Sequence, residues 1–216
     1  EQNSIPGLTN KILGKFVKKI FIAFDETRRF FSKKKVELVG NPIRVQILEA
    51  LSAGPEPREA SAPLRLFVFG GSQGAVAVNK LVTEAAAILA ERDVAVDIVH
   101  QVGKRDLDDA TARYREAGIT ADVRAFIDDM ASEYRRADLV ISRAGATTVA
   151  ELGVVGVPAI LIPYPYAADN HQEINAREMF TLVPIGIIVL IMGVYPMPVL
   201  NLMKVSLNNL IKVVAG

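Results

Sequence analysis

Cysteine is absent from the 216 residues, which removes disulfides, thiolate metal sites and cysteine nucleophiles together. Histidine is scarce. His100 and His171 stand at no ligand spacing, so the expectation is no metal site, and no cofactor is called for. An excess of either charge is lacking as well: 25 Lys and Arg face 24 Asp and Glu, for a net charge of +1. No global field therefore marks a nucleic-acid binder, and no nucleic-acid partner is expected. No signal peptide opens the chain, and its first residue is Glu1, not methionine, which reads as a start inside a longer protein.

One long stretch lacks charge entirely. From Phe180 to Met203 the chain reads FTLVPIGIIVLIMGVYPMPVLNLM, without one Asp, Glu, Lys or Arg. That length can cross a bilayer core of about 30 Å, and membrane insertion is the expectation. The competing reading is a buried hairpin or strand pair, because Pro184, Pro196 and Pro198 interrupt the run.

What is present is a regular alternation. After IPGLTNKILGKFVKKIFIAF, whose apolar residues Ile12, Leu13, Phe16, Val17 and Ile20 are spaced as on a helix, the chain passes a Gly40-Asn41-Pro42 break. A polar, proline-rich loop follows (Ala53 to Pro63), and then strand-like runs appear: LRLFVFG, VAVDIVHQ, ADVRAF, ADLVISR and VPAILIPY. Helical stretches separate them at 75–92, 106–117, 128–136 and 147–155. Apolar strands alternating with helices predict an α/β fold, a Rossmann-like parallel sheet with helices on both faces. Ligands of such sheets bind beyond the carboxyl ends of the strands, so the turns after the strands hold the candidates.

The first turn, GGSQG, has no lysine after its last glycine and is not a Walker loop. As a phosphate turn, Gly70 and Gly71 let backbone N–H groups approach an anion, and Ser72 adds a hydroxyl at a helix N-terminus. It also fits G-x-S-x-G at Gly70, Ser72 and Gly74, the context of a nucleophile elbow. A serine hydrolase is thus a rival, with Ser72 attacking, His171 as base and Asp138 or Asp169 orienting it. A plain strand-to-helix turn is the third reading. The second turn, SRAGATTVAEL, opens a helix with small backbone and the hydroxyls of Thr147 and Thr148, which again suits a phosphate. Glu151, a turn further on, can accept two hydrogen bonds from adjacent hydroxyls, as on a ribose. In the third turn, PYPYAADNHQEINA, Gln172 and Asn175 share a face, and their amides suit sugar hydroxyls. Two phosphate-type turns, a ribose-type carboxylate and an amide pair, in that order, imply a nucleotide-sugar site.

The blocks EQNSIPGLTN, GNPIR, GGSQGA, HQVGK, FIDDM, SRAGATTVAEL and DNHQEINA resemble, in sequence and order, the bacterial lipid II synthase glycosyltransferases. These are UDP-N-acetylglucosamine transferases acting on undecaprenyl-diphosphate-linked N-acetylmuramoyl-pentapeptide. The resemblance runs from Glu1 to about Met179. It implies the C-terminal half of a GT-B fold, with UDP-N-acetylglucosamine as donor and lipid I as acceptor. Work at the cytoplasmic face of the inner membrane follows, with membrane lipid as a further partner. It further implies that Arg44 and Ser72 contact the nucleotide and that Ile127 holds the uracil through its backbone. Ala146, Thr147, Thr148 and Val149 would meet the diphosphate, Glu151 the ribose, and Gln172 and Asn175 the N-acetylglucosamine. Asn3 would belong to the other half's side of the cleft. The family's catalytic histidine and acceptor loops lie upstream of anything matched here, so no catalytic residue is assigned and the chain is expected to be inactive alone.

The implied organisation is a remnant of the acceptor domain over 1–39, a donor domain over 40–179, and an apolar, helical tail over 180–216 for which membrane insertion is the expectation. The tail resembles, more weakly, the closing segment of an antiporter-like membrane subunit of NADH-quinone oxidoreductase, so the chain reads as a chimera. The alternatives are a divergent transferase anchored by its tail and a membrane-tethered nucleotide-sugar binding module.

Overall fold

The computed structural model describes residues 1–52, 54, 56–57, 59, 61–164, 172–176 and 188–190. The first residues form helix α1 (Leu8–Leu13), strand β1 (Ile20–Ile22), a 3-10 helix (Asp25–Phe30) and strand β2 (Val36–Leu38). β1 and β2 pair in parallel as a two-stranded sheet. β2 was not foreseen: VELVG reads as a connection, because three residues are too few to show a period of two. Helix α1 stops at Gly14 and buries none of its residues, leaving Leu8, Ile12 and Leu13 exposed.

The main sheet begins after helix α2 (Val45–Ser52). Strands β3 (Leu64–Phe69), β4 (Val96–Gln101), β5 (Ala121–Arg124), β6 (Leu139–Ser142) and β7 (Ala159–Leu161) alternate with helices α3 (Val76–Ala90), α4 (Leu107–Glu116), α5 (Met130–Arg136) and α6 (Ala146–Val155). Every pairing is parallel, and the spatial order is β5-β4-β3-β6-β7-β8, where β8 is Ile188–Leu190. Chain order therefore runs outward from β3 to one edge, returns, and runs outward to the other. That is the doubly wound Rossmann order, with its switch point between β3 and β6.

Both faces of the sheet are covered, as a parallel sheet requires. Alternate residues of β3 divide between them. Phe67 and Phe69 pack with Ile47 of α2, Met130 and Tyr134 of α5, and Val149 and Leu152 of α6. Leu66 and Val68 face the other way, onto Val78, Val82 and Ala86 of α3 and Tyr114 of α4. Phe67, Val68, Ile98, Val140 and Leu161 are almost wholly withdrawn from water. Each such side chain contributes about 1.5–3 kcal/mol of transfer free energy.

The expectation of a helical tail is corrected where the tail is described. Residues 188–190 form a strand hydrogen-bonded to β7, with Ile160 paired to Val189. Among the described residues no helix is long and apolar enough to cross a membrane. Length does not by itself separate a membrane span from a strand paired at a sheet edge, and the strand pair was the competing reading. The remainder of 180–216 lies outside the described residues.

Candidate functional site

β3 and β6 end beside each other, and each runs into a turn that opens a helix. The β3 turn covers Gly70 to Gly74, and the β6 turn Arg143 to Gly145. The helices that follow, α3 after its N-cap Ala75 and α6 after its N-cap Gly145, have no side-chain cap on their first N–H groups. Two helix N-termini at a switch point, neither closed by its own sequence, offer donors and the positive ends of two dipoles to an anion.

The β3 turn holds its shape through contacts that only glycine permits. Gly74 has φ +76°, and a Cβ there would stand 1.9 Å from the Val102 carbonyl oxygen. Gly103, φ +84°, approaches the Gln73 carbonyl in the same way, at 2.2 Å. The loop after β4 is thus pressed against the β3 turn, backbone to backbone. Ser72 is exposed at the tip. The Gly71 carbonyl accepts from the Gly74 N–H at 3.0 Å and from Gln101 Nε2 at 2.9 Å.

A second group lies on the α2/α5/α6 face. Arg44 donates Nε to Glu151 Oε1 at 2.7 Å and Nη2 to Oε2 at 2.9 Å, and the Tyr134 hydroxyl donates to Oε2 at 3.2 Å. The Glu151 side chain is 3% exposed and that of Arg44 46%. The hydrogen bond to Glu151 holds the Arg44 guanidinium above its usual pKa, and burial pushes the Tyr134 hydroxyl up. Two residues expected to touch different parts of a nucleotide are therefore bound to each other.

Thr147 is exposed and Thr148 half-buried, whereas Ala146 and Val149 are buried. Two of the expected contact residues already have partners within the chain. The Val149 N–H already bonds the Gly145 carbonyl at 2.9 Å and its side chain is in the core, so it fixes the start of α6 and presents no donor to a phosphate. Asn175 is fully buried. Its Oδ1 accepts from the Ser4 N–H at 3.1 Å and the Ser4 hydroxyl at 2.9 Å, and its Nδ2 donates to Asn3 Oδ1 at 3.2 Å. Its amide ties the first residues of the chain to the helical turn over 172–176. Gln172, in the same helical turn over 172–176, is half-buried, and its Oε1 accepts from the Tyr164 N–H at 2.8 Å.

Three residues were missed. Gln101 accepts the Ile127 N–H on Oε1 at 2.8 Å while bonding Gly71. Tyr134, whose hydroxyl donates to Glu151, is the second. Arg143 donates Nη1 to the carbonyls of Ile162 and Pro163, at 3.2 and 2.9 Å, and lies over the Tyr164 ring. Burial lowers its pKa. A cation directly after an apolar parallel strand was the available signal.

Among the described residues, Asp138 does not stand with Ser72. Asp138 accepts the Arg65 N–H at 2.8 Å, at the amino end of the sheet. From there β3 runs four residues to its carboxyl end, about 13 Å at ~3.3 Å per residue, before Ser72 is reached. His171 and Asp169 lie outside the described residues. His100 is buried, bonded to Tyr114 and Asn79. Among the described residues no three His, Asp or Glu side chains gather as metal ligands.

A doubly wound parallel sheet with two uncapped helix N-termini at its switch point defines a Rossmann-type domain. The chain belongs to glycosyltransferase family 28: the model of the glycosyltransferase family 28 C-terminal domain matches residues 65–184. Similar curated proteins include the UDP-N-acetylglucosamine–N-acetylmuramyl-(pentapeptide) pyrophosphoryl-undecaprenol N-acetylglucosamine transferases of Geobacter sulfurreducens and Anaeromyxobacter sp. strain K. They are 49% and 51% identical over 179 residues, which is 83% of this chain but 49% and 46% of theirs. The chain thus spans about half the length of the curated relatives it matches. Among solved structures, MurG of Acinetobacter baumannii aligns over 95% of this chain and 57% of its own, at 32% identity and a TM-score of 0.71. The glycotransferase of kitacinnamycin, 19% identical with a TM-score of 0.53 over 88% of this chain and 46% of its own, shares the fold.

Proposed function

We propose that this chain is the UDP-N-acetylglucosamine-binding half of the transferase that converts lipid I to lipid II in peptidoglycan-precursor synthesis. The observation that carries this reading is the pair of glycine turns, each opening an uncapped helix, at the switch point of the sheet. The names of the similar proteins supply the sugar and the acceptor.

In this reading the diphosphate lies across the N-termini of α3 and α6, near Ser72, Ala146, Thr147 and Thr148, with the Arg143 charge close behind. The Ile127 N–H is committed to Gln101, so its carbonyl is the backbone group that meets the uracil. An ionised carboxylate has about four acceptor positions, and Glu151 fills three. Arg44, the exposed partner, turns toward the nucleotide as the ribose hydroxyls reach Glu151. Gln172 offers its amide to the N-acetylglucosamine, and Asn3 lines the cleft from the other side.

In the complete enzyme the acceptor 4-hydroxyl attacks the anomeric carbon of the sugar. The bond to the diphosphate breaks with inversion, and UDP leaves with its charge held by the helix N-termini. Nothing among the described residues is placed to act as the base, and the 216 residues alone bind donor without transferring its sugar. The work is done at the cytoplasmic face of the inner membrane, where the lipid-linked acceptor is.

Titration calorimetry on the full chain tests this. UDP-N-acetylglucosamine binds more tightly than UDP-N-acetylgalactosamine, and Glu151→Ala abolishes the signal. A folded wild-type chain that binds neither overturns the reading.

A further inference from the structure

The run His100-Gln101-Val102-Gly103 carries none of the contacts assigned above, yet every member of it braces the turns that do. The Asn79 amide nitrogen donates to the Val102 carbonyl and to Asp106 Oδ2, both at 2.9 Å. Its Oδ1 therefore faces His100 and takes the Nε2–H at 3.2 Å, while His100 Nδ1 accepts the Tyr114 hydroxyl at 2.8 Å. This ties β4 to α3. Gly103 lies against the backbone of Gln73. Gln101, 3% exposed, uses both ends of its amide. Nε2 donates to the Gly71 carbonyl at 2.9 Å, and Oε1 accepts the Ile127 N–H at 2.8 Å.

From this geometry we infer that Gln101 is a positioning residue that sets the separation between the phosphate turn at Gly71 and Ser72 and the base turn at Ile127. The inference rests on the donor-site reading above and names what holds two of its parts in register. A nucleoside diphosphate must meet both turns at once, and a ligand carrying only the base or only the diphosphate meets one. Gln101 thus favours ligands of one length, with a nucleobase at one end and a diphosphate at the other. Only an amide suits the position. A carboxylate accepts from Ile127 but repels the Gly71 carbonyl, and an amine donates to Gly71 but cannot accept from Ile127.

The test uses the full chain and three probes: UDP, uridine and inorganic pyrophosphate. Wild type binds UDP more tightly than either fragment. Gln101→Met, similar in length without the amide, weakens UDP about tenfold, the effect of one or two lost buried hydrogen bonds. It leaves uridine and pyrophosphate within about twofold, because each turn survives while their spacing relaxes. Gln101→Glu binds UDP weakly at pH 8.5 and recovers toward wild type at pH 6, as the buried carboxyl takes a proton and donates again to Gly71. Gln101→Met does not recover.

A uniform loss for all three probes, or an unchanged UDP affinity, overturns the inference and leaves donor binding standing. So does Gln101→Glu that tracks wild type at every pH, and this variant decides the matter if Gln101→Met does not fold. A folded wild type that binds none of the three removes the donor site itself, and the inference with it.

Discussion

Arg44 and Glu151, 107 positions apart in sequence, meet in a two-point ion pair, Nε to Oε1 at 2.7 Å and Nη2 to Oε2 at 2.9 Å. The pair clamps the segment just before α2 to the first turns of α6. Planar guanidinium and carboxylate match edge to edge, so the contact fixes orientation as well as distance. Glu151 is the buried member and depends on its partners to offset its desolvation.

Arg44→Lys keeps the charge and loses the fork. A lysine ammonium reaches one carboxylate oxygen well and the other poorly. The expected outcome is a loss of about 1–2 kcal/mol in urea-unfolding stability, in the range of one charged hydrogen bond. A drop in UDP affinity accompanies it. Calorimetry and denaturant titration on one preparation check both.

Stability falls on acidification because of His100. Burial lowers its pKa to about 4, below the ~6.5 of an exposed imidazole. Below pH 6.5 the unfolded chain takes up a proton that the folded chain refuses. The contribution of the neutral ring is therefore complete above pH 6.5 and declines by up to about 1.4 kcal/mol per pH unit down to about pH 4. Unfolding curves between pH 7.5 and 4 show this slope, and His100→Gln flattens it.

Gly74→Ala and Gly118→Ala separate backbone strain from crowding. Both glycines have positive φ, +76° and +69°, but a Cβ at Gly118 meets nothing within 4 Å. Gly118→Ala costs about 1–2 kcal/mol for the left-handed conformation alone. Gly74→Ala costs distinctly more and also weakens UDP, since the Val102 carbonyl must retreat and the phosphate turn moves with it. Equal losses in the two variants would show the close approach to be of no consequence.

Ser72 is exposed but has no base oriented by Asp138, which stands at the other end of the sheet. A fluorophosphonate probe leaves it unlabelled under conditions that label a serine hydrolase, as intact mass spectrometry will read.

Ser4→Ala, Asn175→Ala and the double variant form a cycle across the tie between the N-terminus and the helical turn over 172–176. Asn175→Ala costs about 1–3 kcal/mol, because it strands the buried Ser4 N–H. The coupling energy is about 1 kcal/mol.

The sheet was legible because LRLFVF is too apolar for a one-faced strand and too short for a helix, and strand-like runs alternate with helical stretches after it. The two glycine turns were legible for a related reason: a turn leaving a buried strand for a helix has little freedom, and Gly74 fills a place no other residue can. β2 and β8 were not legible. One is three residues in a polar context, the other three residues in an apolar run whose length suggested a bilayer. Side-chain pairings were the least accessible. Glu151 and Asn175 announce hydrogen bonding by type, but only the fold shows that Glu151 faces Arg44 and that Asn175 faces Asn3 and Ser4. Gln101 sits in the HQVGK block, but its part was not legible, because an amide at the end of a strand looks like any polar boundary residue until both its neighbours are in place.

Asn175 and Ser4 are within hydrogen-bond distance although 171 positions separate them. The polypeptide between them is, in space, a ring closed by a single amide. Where a ring is cut matters little to the order in which β3 to β7 lie side by side, provided the cut falls on an exposed turn. Gly118, exposed between α4 and β5 with nothing within 4 Å of a Cβ placed on it, is such a turn, and a circular permutant that begins there can rebuild the same switch point from the opposite direction of synthesis.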